Sequence, residues 1–401
     1  MKQKRLMLLG GIRYLLPVIE AAHKQGYYVL TVDYLPDNIA HRFSDEYVNV
    51  NIVDREAVLR AAIDKEIDGI ISFGVDPGVV SAAYVQSRMG LPAFGPLESV
   101  EILQNKDRFR AFLKENGFNV PEAKGYASVE EALEDTPSWT YPVIVKPTDS
   151  AGSKGVSRVD GADEMDAAVR EAFSHSISGH VIIERFIEKC GCSSDSDSFL
   201  ENGKLKFVSF SAQRFDGMAA NPYTPSAYSW PATFSQEESR HLTEELQRLF
   251  TLLNMRTGVY NIETRVGSDG KPYIMEATPR GGGNRLAEML RLATGVDMIT
   301  ACVRDAVGDP FPPITQQPYD GCWAEIILHA DRDGLFQSLS VADAFRPYVV
   351  EEDLWVAPGD PVRAFHGAND AIGTLVLKFP DSETLEHALA HQRSWLRILT
   401  R

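Results

Sequence analysis

The opening stretch of the chain alternates short apolar runs with helical patterns, and that alternation restricts what it can fold into. Leu6–Leu9 is apolar and ends in glycines, and a helical pattern follows at about Tyr14–Gln25. Tyr27–Val32 is a second apolar run ending at Asp33; Glu56–Lys65 has helical spacing; Gly69–Phe73 is a third run, before a helical pattern over Pro77–Met89. Strands separated by helices cannot pair as hairpins, so this order predicts a parallel, doubly wound sheet with helices on both faces. Gly10-Gly11 after a strand and Asp33 further on resemble part of a dinucleotide fingerprint. The third glycine is missing, with Tyr14 and Leu15 in its place, so a plain strand-to-helix turn is the better reading.

Beyond this region the pattern is mixed. Gly95-Pro96 leads into a helical stretch, Val100–Asn116, and from about Val120 strands and helices are joined by polar loops. Gly308-Asp-Pro-Phe-Pro-Pro marks a linker, after which Cys322–Leu328, Tyr348–Val356 and Gly373–Phe379 read as strands and Ser382–Leu396 as a closing helix. A chain of 401 residues exceeds one ordinary core. Three domains are expected: 1–97, parallel and doubly wound; 98–310, in two parts with a lid at roughly 120–185; and 311–401, small and mixed. The fold class is therefore α/β joined to α+β.

Net charge and apolar run length narrow the function. A formal charge of −16 disfavours nucleic acid as a partner. The longest apolar runs are too short to cross a bilayer, and the basic start lacks a small-residue cleavage site, so the expected address is the cytoplasm, with no membrane partner. Cys190, Cys192, Cys302 and Cys322 are too few and scattered for a disulfide framework and lack a zinc spacing, so they read as reduced thiols.

The residues with chemical content lie between Lys106 and Arg285. Lys106 sits in a helical pattern, and alone it is a surface lysine. Lys146 closes an apolar strand, Tyr141–Pro147, and invites an anion. The loop Ser150-Ala-Gly152-Ser153-Lys154-Gly155 offers backbone N–H groups, hydroxyls and an ammonium, which together with Lys146 suit a triphosphate. Val181–Ile187 is an apolar strand containing Glu184 and Arg185, with Phe186 and Ile187 at its end, able to present its backbone to an adenine edge or to be an ordinary strand.

Two acids give the strongest signal. Val259–Arg265 and Tyr273–Arg280 flank Gly267-Ser-Asp-Gly-Lys-Pro272, a sequence rich in hairpin formers, which would set Glu263 and Glu276 side by side. Two neighbouring carboxylates repel unless a cation joins them or one takes a proton. Hard oxygens on rigid strands suit Mg²⁺. Arg280 follows at once and can neutralise charge on a transferring phosphoryl group. The plainer reading is two exposed acids on an edge hairpin.

In this order the elements resemble the ATP-grasp superfamily of ligases, with carbamoyl-phosphate-synthase-like, glycinamide-ribonucleotide-synthetase-like and L-amino-acid-ligase-like proteins the most similar in character. The resemblance implies ATP with Mg²⁺, or Mn²⁺ as the alternative, and small carboxylate and amine substrates; it also allows a homodimer. By position, Lys106 and Lys146 would meet nucleotide phosphates, Ser150–Gly155 would be the phosphate loop with Lys154 acting in catalysis, and Glu184 through Ile187 would hold the adenine. Glu263, Glu276 and Thr278 would hold the metal, and Arg280 would stabilise the phosphoryl and acyl-phosphate groups. Two departures stand out. Thr278 replaces the usual amide ligand, offering its hydroxyl, with Asn261 or Asn284 as substitutes, and no glutamate for the ribose follows the adenine segment, so either Asp195 or Asp197 takes that place or no residue does.

The implied reaction is ADP-forming coupling of an activated carboxylate to an amine. Activation of bicarbonate, and ATP binding without catalysis, are the two alternatives. Arg265, Arg285 and Asn284 are candidates for binding substrate, and the long segment Gln213–Pro231, aromatic and proline-punctuated, reads as an irregular wall of the acceptor pocket or a structural loop.

Overall fold

The computed structural model describes residues 2–149 and 154–401. It divides into two compact units, each assembled from separate stretches of chain: Met1–Val120, Asp195–Ser209 and Phe234–Pro318 in the first, and Pro121–Ser194, Phe210–Thr233 and Tyr319–Arg401 in the second.

The first unit contains the expected parallel sheet. Its strands Glu46–Asn49, Tyr28–Asp33, Arg5–Leu9 and Gly69–Ser72 lie side by side in that order. The central strand is parallel to both neighbours, with Leu6 against Val29 on one side and Gly69 on the other. The chain reverses direction across the sheet at Arg5–Leu9, which puts the loops after the strands at a topological switch point. Glu46–Asn49 is a strand the hydrophobic pattern did not announce, because its side chains are only half-buried. The helical stretch expected over Val100–Asn116 is two helices, Leu97–Gln104 and Lys106–Glu115. Asn105 breaks it: the residue is extended, and its side chain accepts from the Arg108 N–H, so it caps a new helix that starts at Lys106.

A second, antiparallel sheet completes this unit, with strands Lys204–Phe207, Ser194–Glu201, Gly258–Val266 and Pro272–Thr278 in that order. The expected hairpin joins the last two, pairing Asn261 with Thr278 and Glu263 with Glu276 before a bulge between Glu263 and Thr264.

In the second unit, Ala123–Tyr126, Val181–Arg185, Val143–Pro147 and Ser157–Val159 form an antiparallel sheet in that order. Val143, Val145, Val181 and Ile183 bury one face against Met165, Val169 and Ala172 of the helix Met165–His175. A five-stranded sheet runs Ala212–Phe215, Pro225–Trp230, Cys322–His329, Ala371–Phe379, Val349–Leu354. Gln213–Pro231 is irregular only over residues 216–224: Tyr228 and Trp230 alternate with Ala227 and Ser229 in a buried strand that pairs antiparallel with Ala212–Phe215. The closing helix is also shorter than expected, ending at Ala390 before a single turn, Gln392–Trp395, and a strand, Leu396–Thr400, that pairs with Gly334–Val341. The four cysteines are free thiols, and no helix among the described residues is long and apolar enough to cross a membrane.

Ser72, Gln86, Arg280, Cys302 and Asp305 line part of a partly open cavity of about 20 Å³ in the first unit. That volume holds about one water. Burial pushes the Asp305 carboxyl up to about 6, and burial together with Asp305 pushes the Cys302 thiol up to about 12. A carboxyl that binds its proton more tightly when folded adds stability below its unfolded value near 3.8, and that contribution is lost as pH rises through 6. Asp305→Asn is therefore expected to be more stable than the wild type at pH 7.5, by on the order of 2 kcal/mol, with a smaller gap at pH 5. Urea unfolding at the two pH values measures this, and a gap that does not change with pH contradicts it.

Candidate active site

The hairpin brings four oxygen- and nitrogen-bearing side chains onto one face. Successive strand residues point to opposite faces, so Asn261 and Glu263 share a face with their cross-strand partners Thr278 and Glu276. Glu263 and Glu276 are half-buried, in strands whose intervening residues Ile262, Thr264 and Ala277 are buried. Lys106 begins its helix beside them and donates from Nζ to Glu276 Oε1 at 3.1 Å. Burial opposes the charge on this ammonium, but Glu276, and after it Asp76, outweigh the penalty and hold the lysine protonated. Lys106, expected to meet phosphate, thus also offsets the charge of one member of the acid pair.

Arg280 follows the hairpin and is buried, its side chain 10% exposed. It is gripped at two points by Asp76: Nε donates to Oδ1 and Nη2 to Oδ2, both at 2.8 Å. Two parallel bonds to a planar guanidinium fix its orientation as well as its place. Asp76 was not singled out from the sequence. A signal was present, because it directly follows the strand Gly69–Ser72 and its short turn, the edge of a parallel sheet where ligands collect.

Asp195 and Asp197 lie on Ser194–Glu201, the strand next to Gly258–Val266. Asn261 Nδ2 donates to Asp195 Oδ1 at 2.8 Å and to Asp197 Oδ1 at 3.2 Å. Asp197 is fully buried and accepts from the Gly282 N–H at 2.8 and 3.1 Å. Burial pushes its carboxyl up to about 7, against the opposing pull of Arg280, Gly282 and Asn261 and with a smaller push from Asp195. Asp195, expected near a ribose, therefore belongs to the sheet of the acidic hairpin and not to the sheet of Glu184. Thr278 is buried, and its hydroxyl accepts from Gln104 Nε2 at 3.3 Å. Arg265 stands two residues beyond Glu263, opposite Tyr273. Arg285 Nη2 contacts Glu288 Oε1 at 3.3 Å, and Asn284 Oδ1 accepts from the Tyr14 hydroxyl at 2.9 Å.

In the second unit, Lys146 and Glu184 are diagonal neighbours on adjacent strands, Lys146 opposite Ile182 and Glu184 opposite Ile144, and they form a close ion pair. The side chains are only 14% and 3% exposed. The N–H groups of Arg185 and Phe186 are bonded to Glu122 O and Pro142 O, the Arg158 guanidinium lies 4.5 Å from the Phe186 ring centre, and Ile187 is buried. Lys154 is exposed, and Gly155 has a φ of +69°. Ser150, Gly152 and Ser153 lie outside the described residues.

No group of three or more His, Cys, Asp or Glu among the described residues is placed to hold a metal ion. The donors present are two carboxylates and a hydroxyl on one hairpin, all hard oxygens. That set fits Mg²⁺, which is commonly held by one or two carboxylates and completes its shell with water and phosphate oxygens.

Removing one member of the Lys146–Glu184 pair strands a buried charge. Lys146→Met is expected to destabilise the protein by about 3 kcal/mol, and adding Glu184→Gln to restore most of the loss. Equilibrium denaturation of the two variants measures this, and additive losses would rule out the coupling.

Residues 139–288 match a family model described as the ATP-grasp domain. In sequence, 301 residues are 25% identical to the carbamoyl phosphate synthase large chain of Thermotoga maritima, covering 74% of this chain and 27% of that protein. The chain thus spans about a quarter of the length of such curated relatives. In structure it is similar to an L-amino acid ligase from Bacillus licheniformis, with a TM-score of 0.82, 20% identity and full coverage of both chains. A phosphoribosylglycinamide synthetase from Anaerococcus prevotii gives 0.76 and 19%, again over both whole chains. The biotin carboxylase domain of the Hydrogenobacter thermophilus 2-oxoglutarate carboxylase, in complex with MgADP, ADP and bicarbonate, gives 0.73 and 17%, covering 99% of this chain and 91% of that one. Residues 139–288 thus match the ATP-grasp domain model, and the chain shares the fold of these solved structures along its whole length.

Proposed function

We propose that the protein is an ADP-forming carboxylate–amine ligase that uses ATP with Mg²⁺. The observation that carries this reading is the cross-strand pair Glu263–Glu276, set beside Lys106 and followed by an Arg280 whose guanidinium is fixed by Asp76. Two acids, a lysine and an oriented arginine in one place are suited to receiving and redistributing phosphate charge.

In the proposed reaction a substrate carboxylate oxygen attacks the γ-phosphorus, the bond from that phosphorus to the β-bridging oxygen breaks, and ADP leaves. An amine nitrogen then attacks the acyl carbon and loses a proton, while the bond from the acyl carbon to the phosphate-bearing oxygen breaks and phosphate leaves. Glu263, Glu276 and the Thr278 hydroxyl would hold Mg²⁺, which supplies neutralisation of phosphate charge when bound. Arg280 stabilises charge on the transferred phosphoryl group, and Lys106 and Lys146 bind phosphate oxygens. The segment 150–155, Lys154 included, covers the phosphates, and Glu184 through Ile187 receive the adenine. Arg265, Arg285 and Asn284 bind substrate. The protein's part is to position the reactants and exclude water, since an exposed acyl phosphate hydrolyses.

The first test is release of ADP and phosphate from MgATP in the presence of each common L-amino acid, hydroxy acids or bicarbonate. Release that depends on an amino acid, and that falls by at least about a hundredfold in Glu276→Ala, is the expected result. Release that depends on bicarbonate alone moves the protein to the carboxylating reading suggested by its carbamoyl phosphate synthase and biotin carboxylase relatives. Formation of AMP and pyrophosphate overturns the mechanism.

A further inference from the structure

The loop after the hairpin reverses the usual rule for where glycine is placed. At Gly281 a Cβ would stand 2.0 Å from the Phe73 ring, and at Gly282 one would stand 2.5 Å from Leu286 and 2.8 Å from Asn261. A side chain at either position would force its neighbours to shift. After Gly283 come two residues with the left-handed backbone that glycine adopts most cheaply, with φ of +49° and +56°, yet they are Asn284 and Arg285. Asparagine tolerates that conformation better than most residues; arginine has no such excuse. Strain that a glycine would relieve is retained where the side chain is used.

The strained pair is also held in place. The Tyr14 hydroxyl donates to Asn284 Oδ1 at 2.9 Å, and its ring lies 3.5 Å from where a Cβ of Gly283 would be. The Gly74 N–H donates to Gly281 O at 2.9 Å, Asp197 accepts from the Gly282 N–H, and Asp76 grips Arg280 at the start of the loop. Tyr14, Gly74 and Asp76 follow the strands Arg5–Leu9 and Gly69–Ser72, so the loops of that sheet hold the strained pair at Asn284 and the residues leading to it at Arg280 and Gly281. The Arg285 side chain is 10% exposed and lies against Glu288, so its guanidinium has a defined direction.

We propose that the left-handed pair Asn284–Arg285 is the subsite that selects the substrate's carboxylate, and that Tyr14 is the positioning residue that holds it in that conformation. The proposal rests on the ligase reading above. Arg285 supplies the planar donor that matches a carboxylate, Asn284 supplies the amide beside it, and the Tyr14 bond fixes which way that amide points. Because Tyr14 acts through Asn284, its loss weakens recognition of the carboxylate substrate and leaves ATP recognition alone.

The test uses the full chain with MgATP and the L-amino acid that gives the fastest ADP release. Tyr14→Phe keeps the ring and removes only the hydroxyl; it is expected to raise the KM for that amino acid about tenfold, the value of one well-placed hydrogen bond, with the KM for ATP within about twofold. Asn284→Gly is expected to raise the amino acid KM at least as much without lowering the melting temperature, because glycine relieves the left-handed strain. A purely structural role for the corner predicts the opposite pattern for Asn284→Gly: an unchanged KM. Turnover by the wild type with an unchanged amino acid KM in both variants, or with equal rises in both KM values, overturns the inference while the ligase reading stands. A wild-type chain that turns over no carboxylate overturns the ligase reading, and the inference with it.

Discussion

The repulsion between Glu263 and Glu276 is the constraint around which the first unit is organised. Two carboxylates paired across a hairpin are unfavourable unless positive charge is brought to them. Lys106 answers that need in the structure itself, and it can do so because Asn105 ends one helix and caps the next, which places the lysine in the first turn. An unbroken helix over the same residues would point Lys106 according to helical phase alone. A single extended residue therefore contributes to placing the compensating charge beside Glu276.

The same logic of paired charge extends along the neighbouring strand. Asp195 and Asp197 share the Asn261 amide, and Arg280 is oriented by Asp76. An arginine buried to this degree has to be paired, and a two-point pair costs it rotational freedom as well as solvent. On the proposed reading that loss would be useful: an arginine already fixed has no reorganisation left to do when phosphoryl charge arrives. The fully buried Asp197 has a different task. Its bonds to the Gly282 N–H anchor the glycine loop to the sheet, so the loop after the hairpin is held from below by Asp197 and at its ends by Asp76 and Tyr14.

How much of this could be read in the sequence depended on range. The hairpin was legible because its turn, its strand periodicity and its two acids all lie within about twenty residues, and local signals set register there. Three strands of the parallel sheet were legible for the same reason, including the Gly10 and Asp33 ends, and the half-buried Glu46–Asn49 was not. The helix break at Asn105 is a one-residue event inside an otherwise continuous pattern, and periodicity averages over it. The strand Pro225–Trp230 was hidden by the prolines and small polar residues around it, although Tyr228 and Trp230 mark its buried face. Asp76 and Tyr14 act on residues more than two hundred positions away. No local pattern reports such a partner. The interleaving of the two compact units belongs with these, because it depends on which distant segments pack together and not on where composition changes.

Thr278 shows how a change at one position is absorbed by its surroundings. An amide at that place would offer a carbonyl oxygen on a longer side chain; threonine offers a hydroxyl on a short, β-branched one. In the structure that hydroxyl is buried and already accepts from Gln104, so one of its two lone pairs is spoken for. A neutral hydroxyl in that state is a weaker metal ligand than an amide carbonyl, and it has one direction left in which to bind. The hairpin then supplies two strong oxygen donors, Glu263 and Glu276, and one weak donor. On the proposed ligase reading, such a set would favour a single Mg²⁺ that draws the rest of its shell from phosphate and water, with a metal affinity that depends on bound nucleotide more than on the protein alone.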